Sequence, residues 1–103
     1  MFYERRMIRI TPAIAIAEHE LKEAFLRASG PGGQNVNKLE TAVQLRFAAM
    51  ASSNLPDAVK QRLVALAGRR MTQDGVLIIT SERHRMREAN REDARQKLVA
   101  LLR

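Results

Sequence analysis

Arg27-Ala28-Ser29-Gly30-Pro31-Gly32-Gly33-Gln34-Asn35-Val36-Asn37-Lys38 stands immediately before Thr41-Ala42-Val43-Gln44-Leu45-Arg46-Phe47, and the two stretches obey opposite rules. The second alternates apolar Val43, Leu45 and Phe47 with polar Gln44 and Arg46, the period of two that marks a half-buried strand. The first places Gly30, Gly32 and Gly33 around Pro31, so it combines unrestricted backbone with one stiffened angle and has nothing to bury. It reads as a shaped loop that lets another molecule's surface approach closely.

Gln34 sits at the tip of that loop. An amide side chain donates and accepts hydrogen bonds but does not titrate, so Gln34 cannot serve as a general base. Its contribution has to be positional: orienting a water, excluding larger nucleophiles, or presenting its backbone N–H to a developing oxyanion. Such help suffices for an activated ester in a site that a second molecule helps to build, and falls short for an amide or a phosphodiester. Asn35 is a good N-cap for a short helix through Asn37 and Lys38, which would set N–H groups and a cation beside the tip. A plain glycine turn capping a helix at Asn35 is the competing reading.

On the N-terminal side, Leu21 to Ser29 fits either a helix or a strand by pattern alone. Met7 to Thr11 reads as a short edge strand stopped by Pro12, and Ala13 to Glu20 is ambiguous, with one helical turn near Glu18. His19 between Glu18 and Glu20 resembles a metal-binding trio but has no complementary ligand set, so a solvated turn is expected and no metal. On the C-terminal side, Ser52-Ser53-Asn54 links to a helix that Pro56 and Asp57 begin, with Leu55, Val59, Leu63 and Leu66 as its inward stripe through about residue 70. Arg69 and Arg70 then favour the helix dipole. Asp74-Gly75 turns the chain into Val76 to Thr80, whose continuous apolar run predicts the most buried strand. Glu82 to Arg103 predicts a final helix with Ala94, Leu98, Leu101 and Leu102 facing inward.

At 103 residues the chain has room for one modest core and one domain, residues 1–103. Eighteen Lys and Arg against 11 Asp and Glu give +7, which points to a polyanionic partner. Nucleic acid fits better than membrane, because no apolar run approaches transmembrane length. Glu82 to Arg103 alone holds seven basic residues against four acidic ones, and Arg85 and Arg87 form the second candidate RNA contact after the loop. Without cysteine there is neither a disulfide framework nor a thiolate metal site, and a basic start without an apolar continuation is no secretory signal. A cytoplasmic protein is expected.

Other chemistry lacks support. His19 and His84 are the two histidines, with no nucleophile elbow, so a hydrolytic triad is not indicated. No phosphate-binding loop or dinucleotide fingerprint occurs, no cofactor is implied, Glu92-Asp93 is accounted for by the helix dipole, and the five methionines read as core filler.

The string from Ser29 to Lys38 with the strand after it resembles the catalytic loop of the class I peptide chain release factors, over nearly the whole chain. The short form is most similar to the ArfB/YaeJ-type peptidyl-tRNA hydrolases that rescue stalled ribosomes. This resemblance favours a strand at Leu21 to Ser29 feeding the loop. It implies an α+β fold: a small mixed or antiparallel sheet packed by one long helix, a C-terminal helix, and the Gly-Gly-Gln loop, residues 29 to 38, projecting from the sheet.

For function the resemblance implies codon-independent hydrolysis of the ester between nascent peptide and P-site tRNA, inside the ribosomal peptidyl transferase centre. Gly32 and Gly33 would shape the backbone, and Gln34 would position water and offer its N–H to the transition state, with the tRNA 2′-hydroxyl assisting proton movement. Arg27, Ser29, Gly30, Asn35, Asn37, Lys38, Arg85 and Arg87 are the expected RNA contacts. The expected partners are large-subunit rRNA and peptidyl-tRNA. A glutamine methyltransferase joins them, since the family's glutamine is often methylated and Gln34 is the candidate site. A monomer is expected. Two departures stand out. The rescue members carry a Lys/Arg-rich C-terminal tail where this chain stops at Arg103, so either truncation, the favoured expectation, or a different engagement of ribosomes follows, and Arg85-Met86-Arg87 replaces the Arg-Ser-Gln of many relatives. A non-catalytic ribosome-binding module is the alternative, and an esterase acting on free peptidyl-tRNA ranks last.

Overall fold

The computed structural model describes residues 6–27 and 40–103, so the loop sequence itself, including the helix expected from Asn35, lies outside the described residues. Five strands and two α-helices occur among them: β1 (Met7–Thr11), β2 (Ile14–Ala17), β3 (Leu21–Leu26), β4 (Ala42–Phe47), α1 (Asp57–Ala67), β5 (Leu77–Ser81) and α2 (Arg87–Leu102). The class is α+β, with every described strand pairing antiparallel.

β1 and β2 form a separate hairpin turned at Pro12-Ala13, where the Thr11 hydroxyl accepts the Ala13 and Ile14 N–H groups. β2 thus occupies part of the ambiguous Ala13 to Glu20 stretch. Its Ile-Ala alternation buries Ile16 against the core, and tertiary pairing with β1 decides what local propensity left open. The expected single turn at Glu18–Glu20 is present, and the Glu20 carboxylate accepts from the Ala17 N–H, the Ser52 hydroxyl and the Asn54 amide.

The second sheet runs β3-β4-β5, with Leu21 opposite Phe47 at one end and Leu26 opposite Ala42 at the other. Val43, Leu45 and Phe47 of β4, with Leu77 and Ile79 of β5, point into the core that α2 covers. β4, rather than the continuous Val76 to Thr80 run, is the most buried strand. β5 lies at the sheet edge, and one layer of helix covers only one face, so Ile78 is half-buried and Thr80 exposed. The strand also starts one residue later than expected, because Val76 closes the turn by donating to Thr72 Oγ1. Gly75 in that turn has φ +83°, and a β-carbon there would lie 2.6 Å from Met50 Cβ.

α1 buries Val59, Leu63 and Ala67 but leaves Leu66 exposed. The inward row advances in steps of four, and Leu66 lies 100° round the helix from Ala67, which corrects the expected stripe. α1 stops at Ala67, before the expected residue 70, where Gly68 takes φ +57°. Arg70 donates to the Ala67 and Leu66 carbonyls at that C-terminus, as the dipole reading anticipated. Met50 and Met71 do pack on the core, whereas Met7 and Met86 are exposed, so the methionines are filler only in part.

Candidate catalytic loop and nucleic-acid interface

Leu26↔Ala42 is the last pair of the β3–β4 ladder, so both roots of the intervening segment leave one end of the sheet. The first turn of α2 meets them there. Arg87 donates from Nε to the Glu40 carbonyl at 2.9 Å, and its guanidinium lies 4.3 Å from the centroid of the Phe25 ring. One cation thereby holds the β4 root by a hydrogen bond and the β3 root by cation–π attraction.

Asn90 ties the same region from below. Its side chain is fully buried, and Nδ2 donates to the Thr41 carbonyl at 2.7 Å and the His84 carbonyl at 2.9 Å, while Oδ1 accepts the His84 N–H at 2.8 Å. Ser81 Oγ is also 3.3 Å from Asn90 Oδ1, but its single proton goes to Asp93 at 2.6 Å. A buried amide needs such partners, and here they are backbone groups of β4's entry and of the 82–86 connection. Asn90 is the residue that sequence reasoning missed. The available signal was its place four residues before Ala94, a polar group on the inward row of a helix.

Acidic residues gather on the covered side. Glu23 accepts Arg91 Nε at 2.8 Å and Arg95 at 3.2 Å, and Glu18 accepts Arg95 at 3.2 Å. Burial acts to raise the Glu23 carboxyl pKa, but hydrogen bonding and charge from Arg91, then Arg95, outweigh it and hold the group below its ordinary value. Arg91 is correspondingly raised, chiefly by its bond to Glu23. Asp93 is held low, first by the Ser81 hydroxyl, against a smaller burial effect, with help from Lys97 and Arg83. It pairs with Lys97 at 3.2 Å and Arg83 at 3.5 Å, so the Glu92-Asp93 pair does more than offset the dipole.

Of the sequence-predicted RNA contacts, Arg27 and Arg85 are exposed, Arg27 directly after β3. Arg87 is exposed as well, yet it is engaged with Glu40 and Phe25, a structural task that the RNA reading overlooked. Gly32, Gly33 and Gln34, together with Ser29, Gly30, Asn35, Asn37 and Lys38, lie outside the described residues. Met86 occupies the N-cap of α2 with no side-chain cap, since a thioether chain carries no oxygen to accept an N–H of the first turn. His19 is exposed, and no group of potential metal ligands occurs among the described residues. Among them, too, no helix is long and apolar enough to cross a membrane.

The peptidyl-tRNA hydrolase ArfB of Pseudomonas putida is 45% identical over 96 residues, which cover 93% of this chain and 69% of that protein. The large ribosomal subunit protein mL62 of Mus musculus is 32% identical over 78 residues, 76% of this chain and 38% of its own length. Peptide chain release factor 2 of Arthrobacter sp. (strain FB24) is 31% identical over 98 residues, 91% of this chain and 24% of that protein. The family model of the RF-1 domain matches residues 8–103. With that match over residues 8–103 and Gly32-Gly33-Gln34 in the sequence between β3 and β4, the chain belongs to the RF-1 domain family.

Proposed function

We propose that this protein is a peptidyl-tRNA hydrolase that works inside the ribosome, releasing the nascent peptide from P-site tRNA without reading a codon. The observation that carries this is the Ser29 to Lys38 string within a chain of which 93% aligns with 69% of the ArfB hydrolase. Water attacks the ester carbonyl, the bond to the terminal tRNA oxygen breaks, and that oxygen leaves with a proton. Gln34 aligns the water, and its backbone N–H faces the oxyanion of the tetrahedral state. Gly32 and Gly33 let the backbone reach that position between RNA surfaces. Ser29, Gly30, Asn35, Asn37, Lys38, Arg27 and Arg85 contact RNA around the tip. No residue in this scheme acts as a strong base, so the ribosomal site must supply the environment.

The same reading takes residues 1–103 as one catalytic domain, a monomer in the cytoplasm, with large-subunit rRNA and peptidyl-tRNA as partners. Gln34 is then a substrate for a glutamine methyltransferase, read by intact mass before and after exposure to such an enzyme. The function is tested by supplying ribosomes stalled with an empty decoding site and, separately, free peptidyl-tRNA. Release from the ribosomes and none from free peptidyl-tRNA is expected. Salt-dependent ribosome binding without release would identify a non-catalytic module, and equal turnover of free substrate would identify a general esterase.

A further inference from the structure

The cations around the three-stranded sheet are treated differently on its two faces. Those on α2 and the connection before it that face acidic groups are matched: Arg83, Arg91, Arg95 and Lys97 form ion pairs, and Arg87 is held by Glu40 and Phe25. On the opposite face of the three-stranded sheet, away from α2, the arrangement differs among the described residues. The outward positions are Lys22, Ala24 and Leu26 of β3, Gln44 and Arg46 of β4, and Ile78 and Thr80 of β5, while Ala42 at the end of β4 lies on the same side but is buried. None of these is acidic, because Glu23 points to the other side and is consumed by α2.

Lys22 and Arg46 are direct register partners. Both are exposed, and neither has an ion pair or hydrogen bond among the described residues. Like charges directly opposite one another on adjacent strands destabilise a sheet, their β-carbons being only about 5 Å apart. Gln44, one pair along, adds an amide, and Thr80 beside it a hydroxyl. A cationic pair flanked by neutral hydrogen-bonding groups, with no competing carboxylate, is complementary to a phosphodiester backbone.

We propose that the outward face of β3-β4-β5 is an RNA-backbone docking surface, with Lys22 and Arg46 bracketing phosphate oxygens and Gln44 and Thr80 reaching adjacent phosphate or ribose oxygens. It extends the proposed ribosomal function to a surface separate from the catalytic tip, and it rests on that reading only for which RNA is met. The mutual repulsion of the two cations is relieved when phosphate lies between them.

The test is binding of Lys22→Gln/Arg46→Gln to purified ribosomes and to a double-stranded RNA of random sequence between 50 and 200 mM salt. Each phosphate contact contributes roughly 0.7 to 0.9 to the salt slope, so losing two lowers it by about 1.4 to 1.8. Across that fourfold salt range wild-type affinity should therefore fall by a factor roughly 7 to 12 larger than that of the double variant. Arg69→Gln/Arg103→Gln removes the same charge elsewhere and should retain the wild-type slope, as should Lys22→Arg/Arg46→Lys. The glutamine pair should melt no lower than wild type, since a repulsion has been removed.

A wild-type slope in the glutamine pair, or an equal loss in the Arg69/Arg103 pair, overturns the proposal. Loss on ribosomes with unchanged binding to the RNA also overturns it, in favour of an acidic protein surface. Gln34→Ala separates this outcome from the functional one: it should bind as wild type while release is lost, so either claim can fail alone.

Discussion

Replacing Asn90 by alanine should be the most damaging single change to the described body of the protein that removes no core hydrocarbon. The substitution deletes three good hydrogen bonds and leaves the Thr41 and His84 carbonyls and the His84 N–H facing the space the amide filled. A net hydrogen bond contributes about 1 kcal/mol, and stranding buried partners adds to this, so about 3 kcal/mol is expected. At about 2.1 cal/mol/K per residue, a 103-residue chain has an unfolding entropy near 0.2 kcal/mol/K, which converts the loss into a Tm decrease of roughly 14 °C. Thermal unfolding followed by circular dichroism reads it directly. Asn90→Asp should be no better, because a carboxylate can accept from His84 N–H but cannot donate to either carbonyl. Gln96→Ala serves as the control: it is exposed, reaches only Glu92 at 3.3 Å, and should change stability by less than about 0.5 kcal/mol. A Tm fall below about 4 °C for Asn90→Ala, or a matching fall for Gln96→Ala, would refute the role given to Asn90.

Met86→Ser should stabilise the protein by about 0.5 to 2 kcal/mol by capping α2, whose N-cap already has φ −105° and ψ 136°; an unchanged urea midpoint would count against an uncapped helix. Gly75→Ala should destabilise by about 1 to 3 kcal/mol, combining a left-handed backbone angle with a clash against Met50, and a neutral effect on Tm would contradict that geometry. Glu23 has a folded pKa below its ordinary value, so its contribution is fully present above about pH 4.3 and is lost as pH falls through the depressed folded value. Glu23→Gln should therefore be less stable than wild type at pH 7, with the gap narrowing as pH falls below the ordinary carboxylate range; a pH-independent gap would contradict the ion pairs with Arg91 and Arg95.

Strand β4 was legible because burial on one face writes a period of two into Val43, Leu45 and Phe47. α2 was legible from Ala94, Leu98 and Leu102 in the same way, and Asp74-Gly75 from turn chemistry. β2 was not, since its four residues are all apolar, so their Ile-Ala alternation sets no polar face against an apolar one, and they become a strand only by pairing with β1. Leu66 shows the limit of a helical stripe: hydrophobicity marks a sector, but packing chooses Ala67 within it. For the site, glycines and a glutamine in that order have little structural use, which is why the sequence singles out residues 29–38; these lie outside the described residues. Arg87 and Asn90 were not legible, because their partners, Glu40, Phe25 and Thr41, are distant in sequence and mostly backbone atoms that carry no residue signature.

Single-turnover peptide release from stalled ribosomes, at saturating protein, compares wild type with Gln34→Ala and Gly33→Ala most directly. If Gln34 positions the water and its backbone faces the oxyanion, release should slow by about 10²-fold or more in both variants while ribosome affinity stays unchanged. Wild-type release rates in both variants would contradict catalysis by the loop.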